Sequence, residues 1–404
     1  MVGADTLRRV GTRLRAITAS RKHSPVPRAL LVSNYGSFGG GGATSFRDMA
    51  VSLREKRPDI DLVAVFPWKG NLAKECARHG IRTKMGWTAW WAFPERWRSP
   101  RIEAIVGALP RGALLLVGLL QAMLLLVRLR PTMVITNTMV IPSHAIAAKL
   151  LGIPHYWYVL EFGRDDHQLR FLLGYRRSVR LIGQLSETVI CISKAIENAM
   201  LALDPTMKTC QVYPVVDTPL GTPSQRQPGE RMRAVLAGRF AESKGQPLAI
   251  EAVAIARKAG VDIELTLVGD GDANVLRQLA RRLGVEDLVS IHGPTPDLGP
   301  YWSAAHVGLM CSKCEGFGLV TVEAMRAGLP VCGTNAGGTP EIITPGINGL
   351  LSPAEDAEGL AANLMALESD EDLRQKLAFR AVETTHRFQR DRYRDELAAV
   401  LGLC

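Results

Sequence analysis

Three glycine-rich segments of the sequence each follow an apolar run and contain residues that can bind phosphate or sugar groups. They are 33–42 (SNYGSFGGGG), 238–245 (GRFAESKG) and 314–341, which includes CEGFGLVTVEAM, GLPV and GGTPE. Glycine lets a backbone approach a ligand closely, and the N–H groups at a helix start favour an anion. These segments therefore predict a phosphate-bearing ligand.

The first segment leaves a predicted strand and opens a helix at Thr44, which places Gly39 and Gly40 beside a candidate ligand. It does not match the GxGxxG dinucleotide fingerprint, and no acidic residue stands at the distance expected for binding a ribose. The alternative interpretation is a flexible surface loop.

The second and third segments contain the charged candidates. Arg239 and Lys244 can converge on two phosphates across a loop, the first as a planar fork and the second as a point charge, although each could also be solvated at a domain edge. In the third segment, a helix from about Gly318 places Glu323 where its carboxylate could accept hydrogen bonds from both ribose hydroxyls.

Apolar runs alternate with helical patterns in both halves, which predicts an α/β fold of two Rossmann-like domains facing each other across a cleft. We predict the following boundaries: a basic extension over 1–28, a first α/β domain over 29–217, a linker over 218–233, a second α/β domain over 234–385, and a C-terminal helix over 386–404 that could pack back on the first domain.

Composition and charge limit the functional classes. The 404 residues are 47% hydrophobic and 22% charged, which excludes a disordered chain. Residues 1–217 hold 30 Lys+Arg against 15 Asp+Glu (+15), whereas residues 218–404 hold 19 against 24 (−5). A basic half favours phosphate groups of nucleic acid, of a membrane surface or of a substrate.

The sequence gives little support for a metal or redox site. Cys311 and Cys314 have redox or half-zinc spacing, but no second pair stands at ligand distance, so small core-edge residues are the preferred interpretation. Asp165 and Asp166 are interpreted as a solvated loop.

Three further segments bear on location. The N-terminus lacks the apolar core of a secretory signal. The stretch 113–127 is 15 apolar residues, shorter than a spanning helix, and predicts a buried or membrane-abutting helix.

Trp87, Trp90, Trp91 and Trp97 lie near Arg96, Arg98 and Arg101 in the sequence. This mixture suits a membrane interface, but it also suits a core cap or an acceptor pocket.

From Gly238 to Leu351 the order GRF..SKG, LTLVGDG, VSIHG, EGFGLVTVEAM, AGLPV, GGTPEII and GINGLL resembles the retaining nucleotide-sugar-dependent glycosyltransferases of family four, which have the GT-B fold. The N-terminal half matches more loosely, through the glycine loop and ETVICISKAI.

The resemblance implies roles for individual residues. Arg239 and Lys244 would bind the donor diphosphate, Glu323 the ribose and Glu315 the donor sugar, with no metal ion or other cofactor. The backbone of Phe317, Gly318 and Leu319 would support the sugar and phosphate, and Gly293 with Pro294 would pass beside the base. Where many family members have a histidine, this sequence has Glu161, either in the active site or as a structural or acceptor-binding carboxylate.

We therefore predict a retaining hexosyltransferase that uses a nucleoside diphosphate sugar and a lipid-linked or saccharide acceptor, as in polysaccharide biosynthesis. It would act without nucleic acid, in the cytoplasm and peripherally at the inner face of the membrane. Same-face substitution is preferred to a covalent intermediate, for which only Glu161 is a candidate. The alternatives are a sugar phosphorylase, a nucleotide-sugar epimerase, or a basic nucleic-acid-binding or scaffold protein.

Overall fold

The computed structural model describes residues 27–94, 102–227 and 229–404. They form two compact units: unit 1 contains the residues before 193 together with 196–213 and 393–404, and unit 2 contains 193–195 and 214–392. Each unit has its own parallel sheet.

The strands and helices of the described residues are as follows, in chain order. The strands are β1 Arg28–Val32, β2 Asp61–Phe66, β3 Arg82–Met85, β4 Ala92–Pro94, β5 Met133–Asn137, β6 His155–Val159, β7 Leu169–Phe171, β8 Thr188–Cys191, β9 Thr209–Gln211, β10 Met232–Ala237, β11 Ile263–Val268, β12 Val289–His292, β13 Val307–Met310, β14 Val331–Thr334 and β15 Gly349–Ser352. The helices are α1 Gly41–Lys56, α2 Asn71–Arg78, α3 Ile102–Leu129, α4 Ser143–Leu150, α5 Tyr175–Leu185, α6 Lys194–Leu203, α7 Gln246–Lys258, α8 Ala273–Leu283, α9 Gly299–Ala304, α10 Leu319–Arg326, α11 Thr339–Ile342, α12 Ala357–Ser369, α13 Glu371–Thr384 and α14 Arg390–Val400.

In the described part of unit 1, seven parallel strands form one sheet in the order β3-β2-β1-β5-β6-β8-β9. The central strands are apolar and buried along their length, as expected when helices cover both faces of a parallel sheet. A separate antiparallel pair joins β4 to β7.

In the described part of unit 2, six parallel strands run in the order β12-β11-β10-β13-β14-β15. Its core is formed by β10, β11, β13 and the apolar sides of α7, α8 and α12. The described residues of the segment 218–231 form no helix or strand. The segment is attached to this unit because Arg226 contacts Glu368 and Ser224 Oγ donates to the Ala305 carbonyl.

Each sheet has one point where the strand order reverses direction. In unit 1 it lies between β1 and β5, and in unit 2 between β10 and β13. In α/β sheets the loops that follow the two strands at such a point diverge, and ligands bind outside the carboxyl ends of those strands.

The predicted apolar helix is longer and more exposed than expected. It runs from Ile102 to Leu129 rather than over 113–127, because arginine has high helix propensity and Arg111 does not end the helix. Its stretch Gly112–Leu129 is long and apolar enough to cross a bilayer, by length and composition, and 22% of that stretch is buried. The alternative of a buried core helix was therefore wrong.

Candidate functional site

Two loops meet at the point in unit 2 where the strand order reverses. The loop after β10 contains the predicted pair Arg239 and Lys244, and the loop after β13 contains Glu315. They are joined by their backbones, since the Lys313 N–H donates to the Ser243 carbonyl at 3.0 Å. The loops form one surface at the carboxyl edge of the sheet.

An ion pair crosses this junction. Lys244 Nζ donates to Glu315 Oε2 at 2.8 Å, and Ser312 Oγ donates to the same oxygen at 2.9 Å. The side chains of Lys244 and Glu315 are 26% and 17% exposed, so both are partly shielded from water yet can be reached by a ligand. Sequence reasoning missed Ser312. Its one signal in the sequence is that it follows the apolar run of β13.

Two helices begin beside this pair. α7 starts after Gly245 and α10 after Gly318, both with left-handed φ values (70° and 103°) that glycine adopts at low cost. Among the described residues no side chain caps either start, and neither first turn contains an acidic residue. The free N–H groups and the positive dipole ends are therefore available to an anion.

Two glycines of the third segment, Gly337 and Gly338, let its backbone pack closely against residues 315–316. A Cβ on Gly337 would lie 2.2 Å from the Glu315 carbonyl oxygen, and one on Gly338 would lie 2.7 Å from that of Gly316. The Gly338 N–H donates to the Glu315 carbonyl at 2.7 Å. The GGTPE motif thus supports the backbone that positions the Glu315 carboxylate.

The remaining predicted donor residues lie on the same unit. Glu323 is on α10, where burial raises the pKa of its carboxyl. Phe317 is buried, Leu319 is the first residue of α10, and the exposed Arg239 has no ion-pair partner among the described residues. Gly293 and Pro294 follow β12, at the edge of the sheet, and are exposed.

The matching edge of unit 1 holds two asparagines to which the sequence analysis gave no individual role, although Asn34 lies within the candidate segment 33–42. Asn34 follows β1 and Asn137 ends β5, so they flank the reversal point of the sheet. Asn137 Nδ2 donates to the Gly42 carbonyl, whereas both polar atoms of the 3%-exposed Asn34 amide lack a partner among the described residues. A buried amide is normally satisfied, so Asn34 indicates a place for a polar ligand group. Its position directly after an apolar run was the signal in the sequence.

Glu161 lies at the same edge, after β6, and holds the loop after β5. Its Oε1 accepts from Thr138 Oγ1 and from the Met139 N–H at 2.9 Å. Thr138 has φ 75°, an unfavourable value for a β-branched residue. Glu161 is buried, and burial raises the pKa of its carboxyl to about 7, although these two hydrogen bonds partly oppose the change.

Gly39 and Gly40 are exposed in the loop after β1. The following helix begins at Gly41 rather than at Thr44, because Gly40 (φ 139°) ends the loop. No side chain caps this helix start among the described residues. The loop belongs to unit 1, as does Glu161, whereas the other predicted catalytic residues belong to unit 2.

The interpretation of Asp165 and Asp166 as a solvated loop was half wrong. Asp165 is exposed, but Asp166 is buried and its Oδ2 accepts from the Phe162 N–H at 2.8 Å, which closes the turn. Cys311 is buried, and burial raises the pKa of its thiol to about 12. Within the described residues no group of three His, Cys, Asp or Glu is placed to hold a metal ion.

The tryptophan segment divides into two parts. Trp91 is 2% exposed, stacks on Trp157 with centroids 6.1 Å apart, and belongs to the core of unit 1. Trp87 and Trp90 are 49% and 39% exposed. Trp97, Arg96, Arg98 and Arg101 lie outside the described residues, so the arginine part of the prediction stays a prediction.

Comparison with known proteins shows which family this chain resembles. Residues 222–383 match the sequence model described as "Glycosyl transferases group 1". The chain is 33% identical over 232 residues to the lipopolysaccharide core biosynthesis glycosyltransferase LpsE of Rhizobium meliloti, covering 57% of this chain and 59% of that one. It is 37% identical over 127 residues to the N-acetyl-alpha-D-glucosaminyl L-malate synthase of Bacillus anthracis, covering 31% and 33%. The chain therefore spans a third to three fifths of these relatives, and the predicted resemblance is confirmed.

Solved structures share the fold over nearly the whole chain. HepE of Anabaena, solved in complex with UDP-glucose, is 22% identical, covers 93% of this chain and 100% of its own, and has a TM-score of 0.72. Sucrose-phosphate synthase of Thermosynechococcus elongatus is 20% identical, covers 93% and 98%, and has a TM-score of 0.70. The predicted GT-B class, with two Rossmann-like α/β units, is confirmed.

Proposed function

We propose that this chain, whose residues 222–383 match the group 1 glycosyl transferases, transfers a sugar from a nucleoside diphosphate donor with retention of the anomeric configuration. The observation that supports this most is the convergence of Lys244, Glu315 and two uncapped helix starts on one edge of unit 2. A diphosphate needs fixed positive charge and a sugar needs hydrogen-bonding groups, and this edge supplies both.

Each donor group has a proposed partner. Arg239 and Lys244 bind the diphosphate, and the start of α10, with the N–H groups of Phe317, Gly318 and Leu319, supports the phosphate and sugar. Glu323 accepts from the ribose hydroxyls, and Glu315 contacts the sugar hydroxyls. Gly293 and Pro294 pass beside the base.

The positive charge at the site belongs to the protein. Arg239, Lys244 and the dipoles of α7 and α10 act where charge develops on the leaving diphosphate. We therefore propose that the enzyme uses no divalent ion for this task.

We propose same-face substitution as the mechanism. The bond from the anomeric carbon to the diphosphate oxygen breaks, the acceptor oxygen bonds on the same face, and the acceptor's proton passes to the leaving diphosphate. Glu161 is assigned as a positioning residue rather than a nucleophile, because its carboxyl is engaged with Thr138 and Met139.

The acceptor is proposed to be a saccharide or a lipid-linked saccharide, with a polar group at Asn34. LpsE is by name an enzyme of lipopolysaccharide core biosynthesis, and HepE was solved with UDP-glucose. These likenesses support a UDP-sugar donor and a polysaccharide-type acceptor. The charge of +15 on residues 1–217 supports peripheral attachment to the cytoplasmic face of a membrane.

The test is incubation of the purified protein with UDP-glucose, UDP-N-acetylglucosamine and UDP-galactose, with and without saccharide and lipid-linked saccharide acceptors. Transfer to an acceptor with release of UDP supports the proposal, and NMR of the product decides the anomeric configuration. Conversion of one nucleotide sugar into another without an acceptor would instead indicate an epimerase. Release of sugar 1-phosphate from a glycoside would indicate a phosphorylase.

A further inference from the structure

An apolar pocket of about 190 Å³ lies within unit 1. Trp91 forms part of its wall, and the other lining residues come from α3, the start of α4, the segment 172–173 and α5: Gly112, Leu115, Leu116, Leu119, Pro142, Ser143, Ile146, Leu172, Leu173 and Leu181. None of these residues is charged.

The pocket opens onto an unusually apolar surface. Leu116 lines the pocket and is itself 63% exposed. Five further apolar side chains of α3 are between 39% and 72% exposed: Leu114, Val117, Leu120, Leu124 and Val127. Removing apolar surface from water yields about 25 cal/mol per Å², so this face favours an apolar covering.

Positive charge lies next to the pocket along α5. Arg176, Arg177 and Arg180 are exposed on the helix that provides the pocket residue Leu181. The sequence of α5, YRRSVRLIGQL, contains no acidic residue, and Arg176 and Arg177 form no ion pair among the described residues. Guanidinium groups of this kind bind phosphate strongly.

Trp87 lies beside the same face of α3. Its backbone N–H donates to Gln121 Oε1 at 2.7 Å, and a Cβ on Gly118 would lie 3.3 Å from its Cδ1. The indole is half exposed. Tryptophan and arginine bordering an apolar face are typical of proteins that lie in a membrane–water interface.

We propose that this pocket binds one hydrocarbon chain of a phosphate-bearing membrane lipid, with the outer face of α3 in the apolar layer and the α5 arginines at the phosphates. The proposal rests on the proposed membrane location, but it does not depend on the sugar-transfer chemistry. A second copy of this chain fits less well. In a two-fold dimer the same patch meets itself, which would bring the unpaired arginines of both copies together.

The test uses dodecyl phosphate below its micelle concentration, with inorganic phosphate as the probe that lacks a chain. Gly112→Phe is designed to fill the pocket: no atom lies within 4 Å of a Cβ at this position, and replacing a helical glycine does not lower helix propensity. Ala113→Phe is the matched control, because Ala113 is the next residue of α3, is exposed and does not line the pocket.

We expect calorimetry to detect dodecyl phosphate binding to the wild type and to Ala113→Phe, at least tenfold weaker binding to Gly112→Phe, and no binding of inorganic phosphate. Vesicles of phosphatidylglycerol should sediment the wild type, whereas phosphatidylcholine vesicles should not. Equal binding by Gly112→Phe, equal binding of inorganic phosphate, or no sedimentation with phosphatidylglycerol overturns the proposal. A stable dimer that is lost in Leu120→Glu also overturns it, in favour of a second copy. The UDP-glucose thermal shift of Gly112→Phe checks the donor site separately.

Discussion

Lys244 Nζ and Glu315 Oε2 are 2.8 Å apart across the point where the sheet of unit 2 reverses its strand order. The pair holds a cation and a carboxylate at the position where a diphosphate and its sugar would meet. Exposed or partly exposed ion pairs contribute little to the free energy of unfolding. We therefore expect the loss of this partly exposed pair to reduce donor binding and turnover more than the stability of the fold.

The first prediction concerns Lys244. Lys244→Ala should lower kcat/KM for the donor about 10- to 100-fold, because a charge-assisted hydrogen bond contributes roughly 1.5–3 kcal/mol. Steady-state kinetics with Lys258→Ala as the matched control measures this effect, since Lys258 is exposed at the end of α7. Wild-type kinetics in Lys244→Ala would show that Lys244 is not part of the donor site.

The second prediction concerns the unpartnered amide of Asn34. Asn34→Leu should leave the melting temperature unchanged or higher, because it removes a buried polar group that lacks a hydrogen bond. It should also raise the KM for the acceptor at least tenfold without affecting donor binding. A fall of several degrees in the melting temperature would mean that the amide supports the fold instead.

The sequence predicted some parts of the structure better than others. The alternation of apolar runs with helical patterns predicted the central strands, because each is a short apolar run followed closely by glycine or a polar residue. The strand β3, RTKM, was missed because all its residues are exposed at a sheet edge and give no apolar pattern. The link between Glu161 and Thr138 could not be predicted, because it depends on β5 and β6 being neighbours.

The third prediction uses the raised pKa of Glu161. Since its pKa is about 7 in the folded protein against 4.5 for an ordinary carboxyl, this group stabilises the fold below pH 4.5 and the contribution is lost as the pH rises through 7. Glu161→Gln keeps an oxygen that accepts from Thr138 and Met139 but cannot ionise. The variant should therefore gain stability relative to the wild type as the pH rises from 4.5 to 8.5, by roughly 3 kcal/mol in total.

Thermal unfolding of both proteins across that range measures the difference. His144 and His155 are buried with lowered pKa values, so they destabilise the fold as the pH falls below 6.5, but their effect is common to both proteins and cancels. A constant difference between variant and wild type across the range would refute the assignment.

The fourth prediction concerns divalent ions. Transfer should survive EDTA, because in the proposed arrangement Arg239, Lys244 and the helix starts would supply the positive charge at the diphosphate. The measurement is the initial rate in EDTA and after adding back magnesium or manganese. Complete loss that either ion restores would contradict the proposed arrangement.

The most direct measurement is the thermal shift of the protein with UDP-glucose and UDP, for the wild type, Lys244→Ala and Glu323→Ala. A ligand at 100 times its dissociation constant adds about 2.7 kcal/mol of stability, which should raise the melting temperature of the wild type by several degrees. Both variants should keep the wild-type melting temperature without ligand and lose most of the shift, whereas the exposed control Glu358→Ala should keep the full shift. A full shift in Lys244→Ala and Glu323→Ala would contradict a donor site at this edge of unit 2.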